Sequence, residues 1–435
     1  MSKHVMIFGS GNGDLPSRMR ALEDGISTTL VCRLDHLSRL VEPDQHARLL
    51  VLSAEAGLDE CVGLARAVHA VHPVTHIATL GEHDQDRAAA VGEALGVPTH
   101  SQRTVQLAHR KDEMRIRLAE AGLDDTPAQL LRDLDSLREF ARRHGFPLVV
   151  KPVGGLASFG VTVVRGDHEL QPAFVRAQVA SDHGWHRSLG VLAEGYLDGP
   201  EYSVEAISEA SEHVVLAITA KYADPATRVE LGHVVPARLA DDIRERIRQL
   251  VLRVLDALGV EFGATHTEVV LTVAGPKVIE THVRMGGDEI WELVHGATGV
   301  DLIDCQLRQS IGDKVLPHVR DVLAASRPPR AEAIWFATPP PVGELVEVIG
   351  AEDAGDAVIS VTATPGTVFT GLVSSYSRPA SARCGAETAA EAVRLAQEKI
   401  AGLSFVTRVP ALAAAIKKLD DVTGETHDFA EDRRI

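Results

Sequence analysis

Two carboxylates, an imidazole and a guanidinium recur at alternating positions in one short stretch. Thr265-His266-Thr267-Glu268-Val269-Val270-Leu271-Thr272-Val273 is followed by Ala-Gly-Pro, and then by Lys277-Val278-Ile279-Glu280-Thr281-His282-Val283-Arg284. The pattern predicts a β-hairpin with a three-residue turn centred on Gly275. Side chains alternate between the faces of a strand, so Glu280, His282 and Arg284 share one face. Glu268 then lies opposite or diagonal to Glu280 and His282, since cross-strand neighbours sit roughly 5–8 Å apart. Carboxylates that close repel one another unless a cation lies between them, and oxygen donors suit Mg²⁺. Arg284 extends the patch toward an anion. The bland alternative is a surface hairpin of mixed charges. Val278, Ile279 and Val283 argue against it, because they suit a core.

Two further stretches carry chemistry of a related kind. In Phe146-Pro-Leu-Val-Val-Lys151-Pro-Val-Gly154-Gly155-Leu-Ala-Ser158-Phe-Gly160 an apolar strand ends in a lysine, and a glycine- and serine-rich loop follows. Glycines there let backbone N–H groups approach phosphate oxygens without Cβ clashes. No G-K-[ST] follows, so this is not a Walker loop. An ordinary hairpin with a solvated lysine fits the same residues. In Val191-Leu-Ala-Glu194-Gly195-Tyr196-Leu197-Asp-Gly199-Pro200-Glu201 a strand bends through Gly-Pro into a second strand, which places Glu194 and Glu201 on either side of the bend.

The elements that must hold these residues fall into three regions: 1–105, 106–318 and 319–435. In the first, the short apolar runs His4–Phe8, Thr28–Val31, Arg48–Leu52 and Val74–Leu80 alternate with helical patterns over Leu58–Val71 and Asp84–Leu95. That alternation predicts βαβ units and a parallel sheet. The second opens with a helix over Val105–Ala121 that stops at Gly122. The third reads as antiparallel strands (Glu332–Ala337, Ala357–Ala363, Thr367–Val373) and a helix over Glu387–Ala401, with a capping box of Thr388 and Glu391 and a stop at Gly402. The fold class is α/β.

Composition excludes several functions. The 435 residues hold 44 Lys and Arg against 61 Asp and Glu, for a net charge of −17, and only 4% are aromatic. Such a chain repels a phosphate backbone and offers few stacking platforms, so nucleic acid is not an expected partner. Cys32, Cys61, Cys305 and Cys384 are far apart and form no C-x-x-C pair, which disfavours a disulfide framework or a thiolate zinc site. No segment reads as a signal peptide or a membrane span, so a cytoplasmic location without membrane contact is expected. Gly9-Ser-Gly11-Asn-Gly13 follows the first strand, but its third glycine is misplaced for a dinucleotide fingerprint. A tight strand-to-helix turn is the favoured reading of it, and a dehydrogenase the distant one.

Taken in order and at these separations, with E-x-H-x-R-x-G-G-D at 280–288, the three stretches resemble the ATP-grasp superfamily, and within it carboxylate–amine ligases of the L-amino-acid ligase type. The likeness covers nearly the whole chain. It implies an ATP-grasp fold, with an N-terminal Rossmann-like domain (1–105), the ATP-grasp domain (106–318) and a C-terminal α+β domain (319–435) that includes a Pro-Gly strand at Thr362–Val368. It implies ATP and Mg²⁺ (or Mn²⁺) as cofactors, small carboxylate and amine substrates, and a possible homodimer. Lys111, in a K-x-x-M-R-x-x-L pattern, and Lys151 would hold the phosphates under a loop that includes Gly154, Gly155 and Ser158. Glu194, Gly195, Tyr196 and Leu197 would form the hinge at the adenine edge, and Glu201 would bind the ribose. Glu268 and Glu280 would bind metal. His282 stands where asparagine is frequent; imidazole is a softer ligand than an amide oxygen, so His282 either ligates the metal, holds a neighbour or touches the substrate carboxylate. Arg284 would steady the acyl phosphate and the tetrahedral intermediate. His233, in Gly232-His233-Val-Val-Pro236, would contact substrate or serve as a structural loop histidine, and Gly286 and Gly287 would line the substrate pocket. Implied alternatives are a purine-pathway ligase, a carboxylase, and a nucleotide-binding protein without turnover.

Overall fold

In the computed structural model the described residues are 3–9, 14–53, 55–79, 81–155, 159–183, 190–326, 328–352 and 355–408. The chain begins with a four-stranded parallel sheet, in the order Arg48–Leu52, Ser27–Arg33, His4–Phe8, His76–Thr79. The strand His4–Phe8 is buried throughout, and apolar from Val5 on, because both of its faces are covered. Met6 and Phe8 join a cluster on one side, and Val5 and Ile7 a cluster on the other. Helix Leu58–Val71 buries Cys61, Ala65 and Val68, at i, i+4 and i+7. Two of the expected strands and this helix coincide residue for residue with the structure. The strand expected at Val74–Leu80 begins later, as His76–Thr79, with Leu80 outside the described residues, and the helix expected from Asp84 starts at Gln85 with Asp84 as its N-cap residue.

The continuous helix expected over Val105–Ala121 is two helices. Gln102–His109 and Lys111–Glu120 meet at Arg110, which is extended (φ −108°, ψ 93°). No proline or glycine marks the break. It re-aims the second helix, so that Lys111, Met114, Arg115 and Leu118 form one buried face.

A four-stranded antiparallel sheet follows, ordered Ala128–Leu131, Val191–Gly195, Leu148–Pro152, Thr162–Val164, with helices Leu134–His144 and Asp167–His183 sharing its apolar core. The strand after the Gly-Pro bend, Glu201–Glu209, belongs to a different sheet. Residues 196–200 therefore cross from the small sheet to a large one. That large sheet has eight antiparallel strands, ordered Gly275–His282, Gly263–Thr272, Glu201–Glu209, Glu212–Ala223, Glu230–Val235, Ala331–Phe336, Ala380–Ala386, Val358–Val361. Helix Asp241–Leu258 packs beneath it through Ile247, Leu250, Val251, Val254, Leu255 and Leu258, and stops at Gly259.

The large sheet runs across residue 319, so strands of the third region continue the second. The three strands expected there do not pair with one another. Val358–Val361 reaches Ala331–Phe336 only through Ala380–Ala386, and Val368–Phe369 lies in a separate three-stranded sheet with Gly343–Ile349 and Ser404–Arg408. Pro365-Gly366, read as part of a strand, is a turn with Gly366 at φ +93°. The last helix, Ala389–Ala401, takes Thr388 as its N-cap, the hydroxyl accepting from the Glu391 N–H. Among the described residues no helix is long and apolar enough to cross a membrane.

Candidate functional site

The expected hairpin is present, but its turn is not Ala274–Pro276. Thr272 pairs with Gly275, so Val273 and Ala274 make a two-residue turn and Pro276 lies in the strand. A bulge between Glu268 and Val269 restores the pairing, which sets Glu268 directly opposite Glu280, and His266 opposite His282. All four, with Arg284, line a cleft of about 930 Å³ between this hairpin, the small sheet and the first region.

Lys111 and Lys151 line the same cleft. Lys111, the first residue of its helix, places Nζ 2.7 Å from Glu280 Oε2 and donates to the Gly155 carbonyl at 3.1 Å. Lys151 Nζ lies 2.7 Å from Glu194 Oε2. Glu194 also accepts from Arg115 at 2.9 and 3.1 Å, while Arg115 donates to the Val278 carbonyl at 2.6 Å. Burial pushes the Glu194 carboxyl up, but Arg115 and Lys151 outweigh it and hold the pKa down at about 2. Burial lowers Lys151, with Glu194 opposing and the cations Arg115 and Lys111 adding to the fall. The Glu194 side chain is thus turned into the protein, where it positions Lys151. Gly195 donates its N–H to the Pro127 carbonyl at 2.8 Å. Tyr196, Leu197 and Glu201 line the cleft, and Glu201 is ion-paired with Arg228. Gly155 lies on the cleft wall; Ser158, Gly11 and Gly13 fall outside the described residues.

His282 has both ring nitrogens occupied. Nδ1 is 3.1 Å from Glu82 Oε1 and Nε2 is 3.2 Å from Glu280 Oε1. Burial disfavours its charged form, but the two carboxylates raise its pKa despite Arg284. Glu82 comes from the first region, 202 residues from Arg284, and accepts from Arg284 Nε at 2.6 Å. Three residues on, Gln85 donates to the Val283 carbonyl at 2.8 Å. The first region is therefore clamped onto the strand end that carries Arg284.

Behind Glu268 lies a second chain of charges. His266 Nδ1 is 2.8 and 3.0 Å from the Glu205 oxygens, and Nε2 is 3.3 Å from Glu268 Oε1. Burial opposes the charge, yet Glu205 and Glu268 raise the His266 pKa to about 9. An unfolded histidine titrates near 6.5. Its contribution to stability is therefore complete below about pH 6.5 and lost as pH rises through about 9. We predict that the unfolding free energy of the wild type falls between pH 7 and 10 in urea titrations, and that His266→Gln flattens this slope; an unchanged slope would show that His266 is neutral. Gly286 packs on this pair: a Cβ there would meet His266 Nδ1 at 2.7 Å, which excludes any larger residue without a shift.

His233 is buried, with Nε2 2.9 Å from Asp288 Oδ2. Arg378, from the C-terminal region, forks onto Asp288 at 2.8 and 2.5 Å, with its guanidinium carbon 3.7 Å above the Phe336 ring centre. Burial raises the Asp288 carboxyl, but His233 and Arg378 hold it far below the carboxylate range. Gly286 and Gly287 line the same end of the cleft. Gly232 is required by its neighbour: a Cβ would lie 2.2 Å from Trp335.

The expected site residues that can be described thus line one cleft or border it. Sequence reasoning missed Glu82, Lys221, Arg115, His266, Asp288 and Arg378 as members. Alternation along the strand points to His266, two residues before Glu268, and Arg115 lies inside the quoted lysine pattern. Glu82, Lys221 and Arg378 carry no local signal. The donor set fits a divalent cation, because Glu268 and Glu280 face one another as oxygen donors. Among the described residues no three His, Cys, Asp or Glu side chains are already gathered as a metal cluster; Lys221 and Lys111 hold the two acids instead.

Comparison with known proteins agrees with this architecture. Residues 144–292 match the model of an ATP-grasp domain, and residues 335–408 match L-amino acid ligase C-terminal domain 2. The chain thus contains an ATP-grasp domain, over residues 144–292. Its C-terminal region is of the L-amino acid ligase type, and the fold superposes on the crystal structure of the L-amino acid ligase from Bacillus licheniformis with a TM-score of 0.76, at 23% identity over 93% of this chain and 99% of that one. Among curated proteins, a D-alanine–D-alanine ligase from Beijerinckia indica is 34% identical over 40% of this chain and 57% of its own length. Uncharacterized protein y4rH from Sinorhizobium fredii is 31% identical over 51% of this chain and 45% of its own. The chain thus spans about half the length of the curated relatives it matches.

Proposed function

We propose that the protein is an ATP-dependent carboxylate–amine ligase, joining an amino acid or related carboxylate to an amine or second amino acid through an acyl phosphate, with release of ADP and phosphate. One observation carries this reading. Two buried lysines, two facing carboxylates and Arg284 converge on a single cleft between the small sheet and the hairpin. A carboxylate is a poor electrophile, and phosphorylation supplies it with a leaving group. Lys111 and Lys151 would neutralise the phosphates, with the loop at Gly154 and Gly155 closing over them and keeping water from the acyl phosphate. Glu268 and Glu280 would hold Mg²⁺ or Mn²⁺, which when bound screens phosphate charge and polarises the transferred group. Glu201 would take the ribose and residues 194–197 the adenine edge.

Arg284 is held by Glu82 and would stabilise the oxyanion that develops as the amine attacks. His282, engaged by two carboxylates, would hold Glu280 in place rather than act as a free ligand. His233 acts through Asp288, positioning the carboxylate that borders Gly286 and Gly287 at the substrate end. No enzyme nucleophile is required. The test is a screen of amino-acid pairs with ATP and Mg²⁺, scoring ADP, phosphate and new amide mass together. ADP and phosphate formed in step with an amide support the reading; AMP with pyrophosphate, or no turnover of any pair, would overturn it.

A further inference from the structure

Each acid assigned to the metal is already held by a lysine. Lys221, on the strand Glu212–Ala223, sits with Nζ 2.5 Å from Glu268 Oε1 and 3.3 Å from Glu230 Oε1, and its side chain is only 3% exposed. Lys111 Nζ lies 2.7 Å from Glu280 Oε2. The lysines come from different elements, Lys221 from a strand of the large sheet and Lys111 from the first turn of the helix Lys111–Glu120. With their neighbours they form two runs of alternating sign. One is Glu205, His266, Glu268, Lys221 and Glu230; the other is Lys111, Glu280, His282, Glu82 and Arg284. Both runs are largely buried, so each charge depends on its neighbours rather than on water.

A divalent ion entering alone has to displace an ammonium from Glu268 or Glu280. The displaced ammonium then sits in a confined cleft close to a doubly charged ion: Lys111 loses its ion-pair partner Glu280, and Lys221 keeps only the longer contact to Glu230. A phosphate group that arrives with the metal removes this penalty, because it offers the ammonium a new anion. We propose that Lys221 and Lys111 are internal counter-cations that keep a free divalent metal off Glu268 and Glu280, so that metal is admitted only together with an anionic phosphate group. The identity of that anion as a nucleotide rests on the function proposed above; the exclusion of free metal does not.

The experiment is a nucleotide-free Mn²⁺ titration of the full chain, followed by electron paramagnetic resonance. Wild type is expected to show no saturable Mn²⁺ binding below about 1 mM. Lys221→Met and Lys111→Met should each tighten Mn²⁺ binding by about tenfold or more. Lys221→Arg, which retains the charge, should bind as weakly as wild type, and Glu268→Gln added to Lys221→Met should abolish the gain. Folding of each variant is checked by circular dichroism. Micromolar Mn²⁺ binding to the wild type without phosphate overturns the proposal and needs no variant, so it holds even if both methionine variants unfold. Folded methionine variants that bind no more tightly than wild type also overturn it. Calorimetric titration of wild type with MgADP reports separately on the nucleotide reading: no MgADP binding would remove that reading and leave the metal-exclusion result standing.

Discussion

Arg284→Ala is expected to lower amide formation by roughly 10²–10³-fold while the protein stays folded. The guanidinium donates from Nε to Glu82 and from Nη1 to the Met285 carbonyl at 2.8 Å, and among the described residues no hydrogen bond claims Nη2. Two tethers therefore fix the plane of the group and leave a donor for charge that develops in the cleft. Such a donor accelerates the reaction because it is preorganised and does not have to reorient as the oxyanion forms. Arg284→Lys retains the charge but not the fork, so it should recover only part of the loss. The measurement is the steady-state rate of amide and ADP production for the best substrate pair. Unchanged turnover in Arg284→Ala would remove this residue from the chemistry.

Glu280→Gln should be comparably damaging, lowering metal-dependent turnover by about 100-fold or more. Glutamine has nearly the same shape, and its amide oxygen still accepts from His282. It offers one fewer anionic oxygen, however, and leaves the Lys111 ammonium facing a neutral group. Burial raises the Glu280 carboxyl, but Lys111 and His282 together hold it well below the usual carboxylate range, so it stays ionised at any working pH. The expected signature is a rise in the Mg²⁺ concentration needed for half-maximal rate, together with the loss of rate. A variant that keeps the wild-type rate and metal requirement would show that Glu280 is not a metal-binding acid. Removing one partner of a buried ion pair also destabilises the fold, so a lower melting temperature is expected alongside.

These expectations draw on very different parts of the chain. The face shared by Glu280, His282 and Arg284 follows from a period of two along eight residues, a local property that survives any tertiary arrangement. The pairing of Glu268 with Glu280 was legible in outline, because a hairpin brings its two arms together whichever turn it uses. The turn itself was misplaced: Gly275 and Pro276 suggested the bend, yet Val273 and Ala274 make it, and a bulge at Glu268 absorbs the difference. Helix Leu58–Val71 and strand His4–Phe8 were legible for the same local reason. The break at Arg110 was not, since nothing in the residues around it disfavours helix; it shows only in the tertiary arrangement, where the second helix turns the single face of Lys111, Met114, Arg115 and Leu118 inward.

What the amino-acid sequence determined by itself was the alternation of apolar and charged residues, and with it the parallel first region, the hairpin and the face that Glu280, His282 and Arg284 share. The tertiary structure alone decided which of these meet. Glu82 reaches Arg284 across 202 residues, Lys221 reaches Glu268 across 47, and Arg378 reaches Asp288 across 90. Contacts so distant in the chain leave no periodicity to read, because they depend on how whole sheets are ordered and packed. That ordering places each of these charges beside its opposite.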